Sequence, residues 1–429
     1  MRKGFACTGL VSFLLAPCWR VLFLFFALTQ VQGEVLGQRT DLKRLRGGKY
    51  IELPFELEND FIIIDVLLDN LLPLRFIIDT GAENTVLLDK KMTDLLNVDY
   101  RRTFKVRGAD VEADLTAYLA TGIDMRLANV LLARNRSVLV LEENYFNFEQ
   151  IIGSNIHGIL GADFLMRFIV EFDYGRRVVI LHEPSEFRRS NRHVEVPSVF
   201  IRNRAYLEVP LAVADARPTT RRLLVDSGAG LTLLMHTFAD STAQAEDLPV
   251  LTVPTRIANG LGGSLEGSVG RARSLRLAGK ELSGVVTYFQ PLDTVGLDFL
   301  NDREGIIGNR ILKRFNVVVD YINYRVYLRP EGKGWKKKFR YDRSGMSLLA
   351  GGTNLRTYNV ASIVPGSPAS RAGLQVGDRI VAVNGVSSTF LSLANVLHKL
   401  EGKPGRKIKI KYLRGKDYTT VVFRLENLI

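Results

Sequence analysis

The strongest constraint on what this chain can fold into is an internal duplication. Phe76-Ile77-Ile78-Asp79-Thr80-Gly81-Ala82 sets a carboxylate at the end of an apolar run, followed at once by a hydroxyl and a glycine. Leu223-Leu224-Val225-Asp226-Ser227-Gly228-Ala229 repeats that order, with Asp226 falling 147 residues after Asp79. The surroundings repeat at the same offset: Gly158-Ile159-Leu160-Gly161 meets Gly305-Ile306-Ile307-Gly308, Phe168 meets Phe315, and Asp173-Tyr174 meets Asp320-Tyr321. Upstream, Glu52-Leu53-Pro54 echoes Glu195-Val196-Pro197 at an offset of 143, so a few residues have been inserted or lost between. A repeat of roughly 140 residues is too long for a solenoid unit and suits a lobe. One Asp per lobe suggests one site built from two carboxylates.

Each copy reads as mostly β. Phe61 to Leu68 is a β-branched apolar run, and Asn70 with Pro73 marks a turn before Arg75 to Ile78. Ser198 to Val213 and Leu223 to Val225 repeat the strand, turn, strand plan, with Pro218 in the turn. Short helices are predicted at Gly161 to Met166 and Gly308 to Lys313, and Asp173 and Asp320 read as structural residues before turns.

Composition narrows the classes. With 429 residues, 46% hydrophobic and 24% charged, the chain can bury large cores. The formal charge is +13, but the basic residues are scattered among acidic ones and no basic, aromatic-interleaved module appears, so no nucleic-acid partner is expected. Residues 1–33 have the form of a signal peptide: Arg2 and Lys3 open it, Val21 to Leu28 is apolar, and Val31-Gln32-Gly33 places cleavage before Glu34. Export to the periplasm, the cell surface or the medium is expected, with membrane anchoring if the leader stays uncleaved. Both cysteines, Cys7 and Cys18, lie in that leader, which leaves the rest without disulfide, thiol nucleophile or Cys-based zinc site. Residues 34–49 read as a linker or short pro-segment.

An Asp followed by a small hydroxyl residue and Gly fits a tight turn that another backbone can approach closely. Two such turns meeting about a pseudo-twofold axis would share one proton between their carboxylates. The ionised member can then take a proton from a water held between them while the protonated member polarises a peptide carbonyl. This chemistry needs no covalent intermediate, metal or cofactor, and none is expected.

This paired pattern resembles the aspartic peptidases, and Ala82 and Ala229 bring it closer to the retropepsin-like branch. The resemblance covers about residues 50 to 330 and implies a pepsin-like bilobal monomer from one chain. It implies Asp79 and Asp226 as the catalytic pair, with Thr80, Gly81, Ser227 and Gly228 as active-site support. It also implies apolar-Gly segments, Gly158 to Gly161 and Gly305 to Gly308, packed beneath each active-site loop. Flap candidates are Gly262 and Gly263 within Asn259 to Ser264, and Gly108 in the first copy.

Glu331 to Lys338 breaks the pattern and reads as a solvated linker. Beyond it, Ser367-Pro368-Ala369, Ala372-Gly373-Leu374 and Gly377-Asp378-Arg379-Ile380 are similar to a PDZ domain of the bacterial protease-associated type. Such domains add a peptide as a strand beside an exposed edge and hold its terminal carboxylate in backbone N–H groups. The corresponding loop is Gly345, Met346, Ser347 and Leu348, with Ser347 where the family usually has a second glycine.

The sequence therefore predicts a mostly β chain. Its divisions are a signal peptide (1–33), a linker or pro-segment (34–49), peptidase lobe 1 (50–190), peptidase lobe 2 (191–332), a linker (333–342) and an α+β PDZ domain (343–429). The expected function is a monomeric aspartic endopeptidase whose partners are a polypeptide substrate and a peptide or protein C-terminus at the PDZ domain. The alternative is a catalytically idle scaffold acting through the PDZ groove.

Overall fold

The computed structural model describes residues 41–45, 49–96, 98–107, 114–214, 217–238, 248–249, 251–260, 263–292 and 303–429. The expected signal peptide lies outside them. The described chain is mostly strand with few helices.

In the first copy, strand Phe61–Leu68 returns as Leu72–Ile78. Asp69 and Asn70 carry the turn at φ 48° and 58°, the left-handed region that short polar side chains tolerate best. Pro73, expected in the turn, instead lies in the return strand opposite Leu67. The short strand Gly158–Leu160 then runs parallel to Phe76–Ile78 and antiparallel to Val86–Leu87. The second copy repeats this: Gly305–Ile307 lies parallel to Leu223–Val225 and antiparallel to Leu233–Met235. Each inserted strand supplies the carbonyl that anchors an aspartate, since the Asp79 amide donates to Leu160 O and the Asp226 amide to Ile307 O, both at 3.0 Å. The helices Ala162–Leu165 and Asn309–Leu312 follow directly.

A six-stranded sheet joins the copies. Its order is Val194–Val196, Arg325–Pro330, Phe315–Asp320, Ile169–Asp173, Val178–His182, Tyr50–Pro54. The central pair is antiparallel, with Ile169 opposite Asp320 and Phe172 opposite Val317. Above it, one continuous core runs through both copies and includes Phe76, Phe164 and Phe172 from the first and Leu223, Phe315 and Val319 from the second. Each such side chain contributes about 1.5–3 kcal/mol on burial, so the two halves are stabilised as one body.

Two segments read as linkers are ordered parts of the fold. Asp41–Arg44 forms a strand antiparallel to 131–134, because strand Leu131–Leu141 otherwise leaves that edge unpaired, and Arg44 pairs with Glu183 at 2.9 Å. Within 333–342, Phe339 and Tyr341 are buried in the core of the lobes, and the Arg314 guanidinium lies 3.4 Å from the Phe339 ring centre. The aromatic residues of this basic run dock it against the second lobe, so the run is not fully solvated.

The C-terminal sheet has the order Met346–Gly351, Thr357–Ile363, Arg379–Val383, Lys407–Arg414, Asp417–Arg424, which leaves Met346–Gly351 at an edge. It packs on helix Leu393–Leu400, whose first turn is capped by Ser392 accepting from the Asn395 amide, and it has its own core around Tyr358, Val383, Val396 and Ile410.

Candidate active site

Asp79 and Asp226 end the two equivalent central strands and meet at the junction of the lobes, each only 1% exposed. Their carboxyls are hydrogen-bonded to one another. Asp79 Oδ1 accepts from the amides of Gly81 at 2.7 Å and Ala82 at 3.1 Å. Asp226 Oδ1 accepts from Gly228 at 2.8 Å.

The neighbouring hydroxyls lock the loops across the axis. Thr80 Oγ1 donates to Val225 O at 2.6 Å and accepts from the Ser227 amide at 3.0 Å. Ser227 Oγ donates to Ile78 O at 2.8 Å and accepts from the Thr80 amide at 3.0 Å. The glycines are required by proximity: a Cβ on Gly81 would lie 2.8 Å from Asp226 Cγ, and one on Gly228 would collide with the Asp79 carboxyl.

Electrostatics differ between the two acids. Burial, then the charge of Asp226, holds the Asp79 carboxyl well above the usual carboxylate range. Burial also raises Asp226, but the hydrogen bond from Asp79 and the positive charge of Arg303 oppose it. Arg303 is buried, which lowers its guanidinium to about 10 and leaves it charged at neutral pH.

Sequence reasoning missed several residues here. Asn309, one residue past the apolar-Gly segment, donates from Nδ2 to Ser227 O at 2.5 Å and accepts the Tyr174 hydroxyl at 2.6 Å. Glu83, four residues beyond Asp79, pairs with the fully buried Arg204 of the second lobe at 2.9 Å. Asp60 of the first lobe pairs with Arg310 at 3.2 Å and with Lys313. The duplication carries a signal for two of them: Tyr174 is matched by Tyr321 at the common offset, whereas Asn309 is matched by Ala162.

Of the flap candidates, Gly108 and Gly262 lie outside the described residues. Gly263 opens strand Gly263–Leu277, paired with Gly260 at the end of Val253–Gly260. In the first lobe Asp99–Arg107 and Asp114–Leu127 form the corresponding hairpin.

At the PDZ loop, Gly345 takes φ 77° and its amide donates to Asp342 Oδ2 at 2.6 Å. Asp342 Oδ1 accepts from the Ser344 amide and hydroxyl at 3.2 and 2.6 Å. Burial pushes this carboxyl up to about 6 against those bonds. The loop thus carries a carboxylate of its own. Met346, Ser347 and Leu348 line a pocket of about 270 Å³ that reaches Asn59 and Asp60 of the first lobe and Gly230, four residues beyond Asp226. Further along, lobe-1 helix Phe148–Ile152 packs against edge strand Met346–Gly351. A Cβ on the adjoining Gly153 would lie 2.8 Å from that of Leu393.

Comparison with known proteins agrees with this architecture. The aspartyl protease family model matches residues 64–164, and the PDZ domain model matches residues 360–414. The chain therefore combines a retropepsin-like aspartyl protease domain with a C-terminal PDZ domain. A Lactococcus lactis protein described as a zinc metalloprotease is 33% identical over 78 residues, 18% of each chain, so the present chain spans less than a fifth of that relative. The photosystem II D1 C-terminal processing protease aligns over 20% of this chain and 23% of its own at 24% identity, with a TM-score of 0.19 that carries no argument. Among the described residues, no group of three or more His, Cys, Asp and Glu side chains is placed to hold a metal ion.

Proposed function

We propose that this protein is an aspartic endopeptidase in which Asp79 and Asp226 together activate a water. The observation that carries the reading is the pairing of two buried carboxyls from duplicated loops, locked by the reciprocal Thr80 and Ser227 bonds. A water between the carboxyls gives one proton to the ionised aspartate as its oxygen attacks the peptide carbonyl. The protonated aspartate gives its proton to the carbonyl oxygen. Collapse of the tetrahedral diol breaks the C–N bond, with a proton passing to the leaving amine. Raised proton affinity at both acids, from burial of the facing pair, supports one proton shared between them.

The PDZ domain binds a polypeptide C-terminus, and strand addition at Met346–Gly351 requires lobe-1 helix Phe148–Ile152, which packs against that edge, to move away from it. The basic, apolar leader directs the chain out of the cytoplasm, which cell fractionation tests directly.

The decisive experiment digests a mixed peptide library with the chain from Glu34 onward, between about pH 3 and about pH 8, beside Asp79→Asn and Asp226→Asn. Internal cleavage by the parent, lost in both folded variants, is the expected result. A parent inert across the range, or a variant that keeps its activity, overturns the reading.

A further inference from the structure

The duplication makes the two active-site loops comparable residue by residue, and one of their differences places a buried amide side chain, Asn309, behind the second loop only. In the second lobe, the Ser227–Gly228 peptide is held at both ends. Its carbonyl accepts from Asn309 Nδ2 at 2.5 Å, and its N–H donates to Asp226 Oδ1 at 2.8 Å. The Tyr174 hydroxyl donates in turn to Asn309 Oδ1 at 2.6 Å. A relay therefore runs from Tyr174 of the first lobe through Asn309 and one peptide group to Asp226.

In the first lobe the equivalent peptide, Thr80–Gly81, also donates to its aspartate, at 2.7 Å. The residue 147 positions before Asn309, however, is Ala162, which has no polar side chain to offer the Thr80 carbonyl. The counterpart of Tyr174 is Tyr321, whose buried hydroxyl finds no hydrogen-bond partner among the described residues. The relay is present in one lobe and missing from the other.

A hydrogen bond accepted by a peptide carbonyl polarises the group and makes its N–H a better donor, by roughly 10–30% per bond in a chain. A stronger donor favours the ionised form of the carboxyl that accepts from it. We propose that Asn309 is a positioning residue that makes Asp226 the ionised, water-activating member of the pair and leaves the shared proton on Asp79. This rests on the peptidase reading for its consequence in catalysis, but its physical content is the order in which two carboxyls lose their protons.

Other charges face these groups and act together with the relay. Asp226 faces Asp79, the buried Arg303 and the Gly228 and Ala229 amides, and Arg303 favours the same ionised form. Asp79 faces Asp226, the Gly81 and Ala82 amides and Tyr321. Tyr174 faces Asp60. The greater rise at Asp79 than at Asp226 agrees with the proposed order.

The test is an NMR titration of the aspartate carboxyl carbons in the full chain from Glu34, with the pH dependence of kcat/KM measured on the same preparations. Asn309→Ala is expected to raise the lower apparent pKa of the pair by about one unit, a tenfold change in proton affinity, and to move the acidic limb of activity upward with it. Tyr174→Phe, which removes only the far end of the relay, is expected to shift both in the same direction by about a third as much. It also serves if Asn309→Ala does not fold. A purely structural role lowers kcat/KM evenly across pH and leaves the titration unmoved, and that result overturns the proposal. If the parent proves inert while the titration shifts as stated, the peptidase reading fails and this inference stands. If the parent is active and the titration does not move, the reverse holds.

Discussion

Thr80→Val isolates the cross-axis lock with little change of shape. The methyl replaces Oγ1 and deletes two bonds, the 2.6 Å donation to Val225 O and the 3.0 Å acceptance from the Ser227 amide. Both backbone partners lie within the core and about 1% exposed, so water does not replace the lost group. Each buried group left unmade costs about 1–3 kcal/mol, which gives about 3 kcal/mol for the pair. For a unit of this size that is about 6–10 °C in Tm. Scanning calorimetry suits the measurement because the PDZ domain has a core of its own and supplies an internal reference transition. The lobe transition is expected to fall while the PDZ transition stays. Combining the change with Ser227→Ala is expected to cost less than the sum, because the four bonds brace the same two loops. A lobe transition shifted by less than about 2 °C, or a PDZ transition that moves equally, refutes the argument that the lock holds the lobes together.

Three further outcomes follow from the same geometry. Gly228→Ala drives a methyl into the Asp79 carboxyl and is expected to lower peptidase activity at least about a hundredfold while the PDZ transition is unchanged; retention of activity refutes the close approach. Asp79, with its raised proton affinity, contributes stability that is fully present below the ordinary carboxyl value of 3.8 and is lost as pH rises through its folded value. Asp79→Asn is therefore expected to flatten the decline of Tm with pH and to stabilise the chain at neutral pH, and a parallel decline in both proteins counts against this. Glu401→Gln removes a carboxylate from Arg310, which also holds Asp60. It is expected to loosen the PDZ domain from the lobes by about 1–2 kcal/mol, read as roughly tenfold faster proteolysis at Lys336 to Lys338; an unchanged rate argues that the ion pair does not hold the domain.

Much of this fold was legible because a duplicated sequence states its own alignment. A β-branched apolar run placed Phe61–Leu68, and the Gly-apolar-Gly segments marked Gly158–Leu160 and Gly305–Ile307, whose role depends on backbone pairing that apolar pattern encodes well. The paired aspartates were visible for the same reason. What escaped was decided by neighbours distant in the chain. Asp41–Arg44 is a strand only because residues 131–134 offer an edge, and the run at 333–342 docks through Phe339 and Tyr341 rather than through its lysines. Asp342 looked like a linker residue, yet its carboxyl organises the loop at Gly345. Asn309 carried no motif at all, and its significance appears only where Tyr174, from the other lobe, reaches it.

The joining sheet also sets the order in which the chain can finish folding as it is made. Strand Ile169–Asp173 has Val178–His182 on one side as soon as the first lobe exists, but its other neighbour is Phe315–Asp320, which emerges well over a hundred residues later. At a synthesis rate of about 5–20 residues per second, that edge waits on the order of ten to thirty seconds for its partner. During the interval the nascent first lobe presents an open strand whose Val170 and Phe172 end in the common core, the kind of edge that recruits other chains. Synthesis of this protein therefore passes through a sticky half-molecule. A released chain ending at residue 190 should associate with copies of itself, whereas one ending at residue 332 should not.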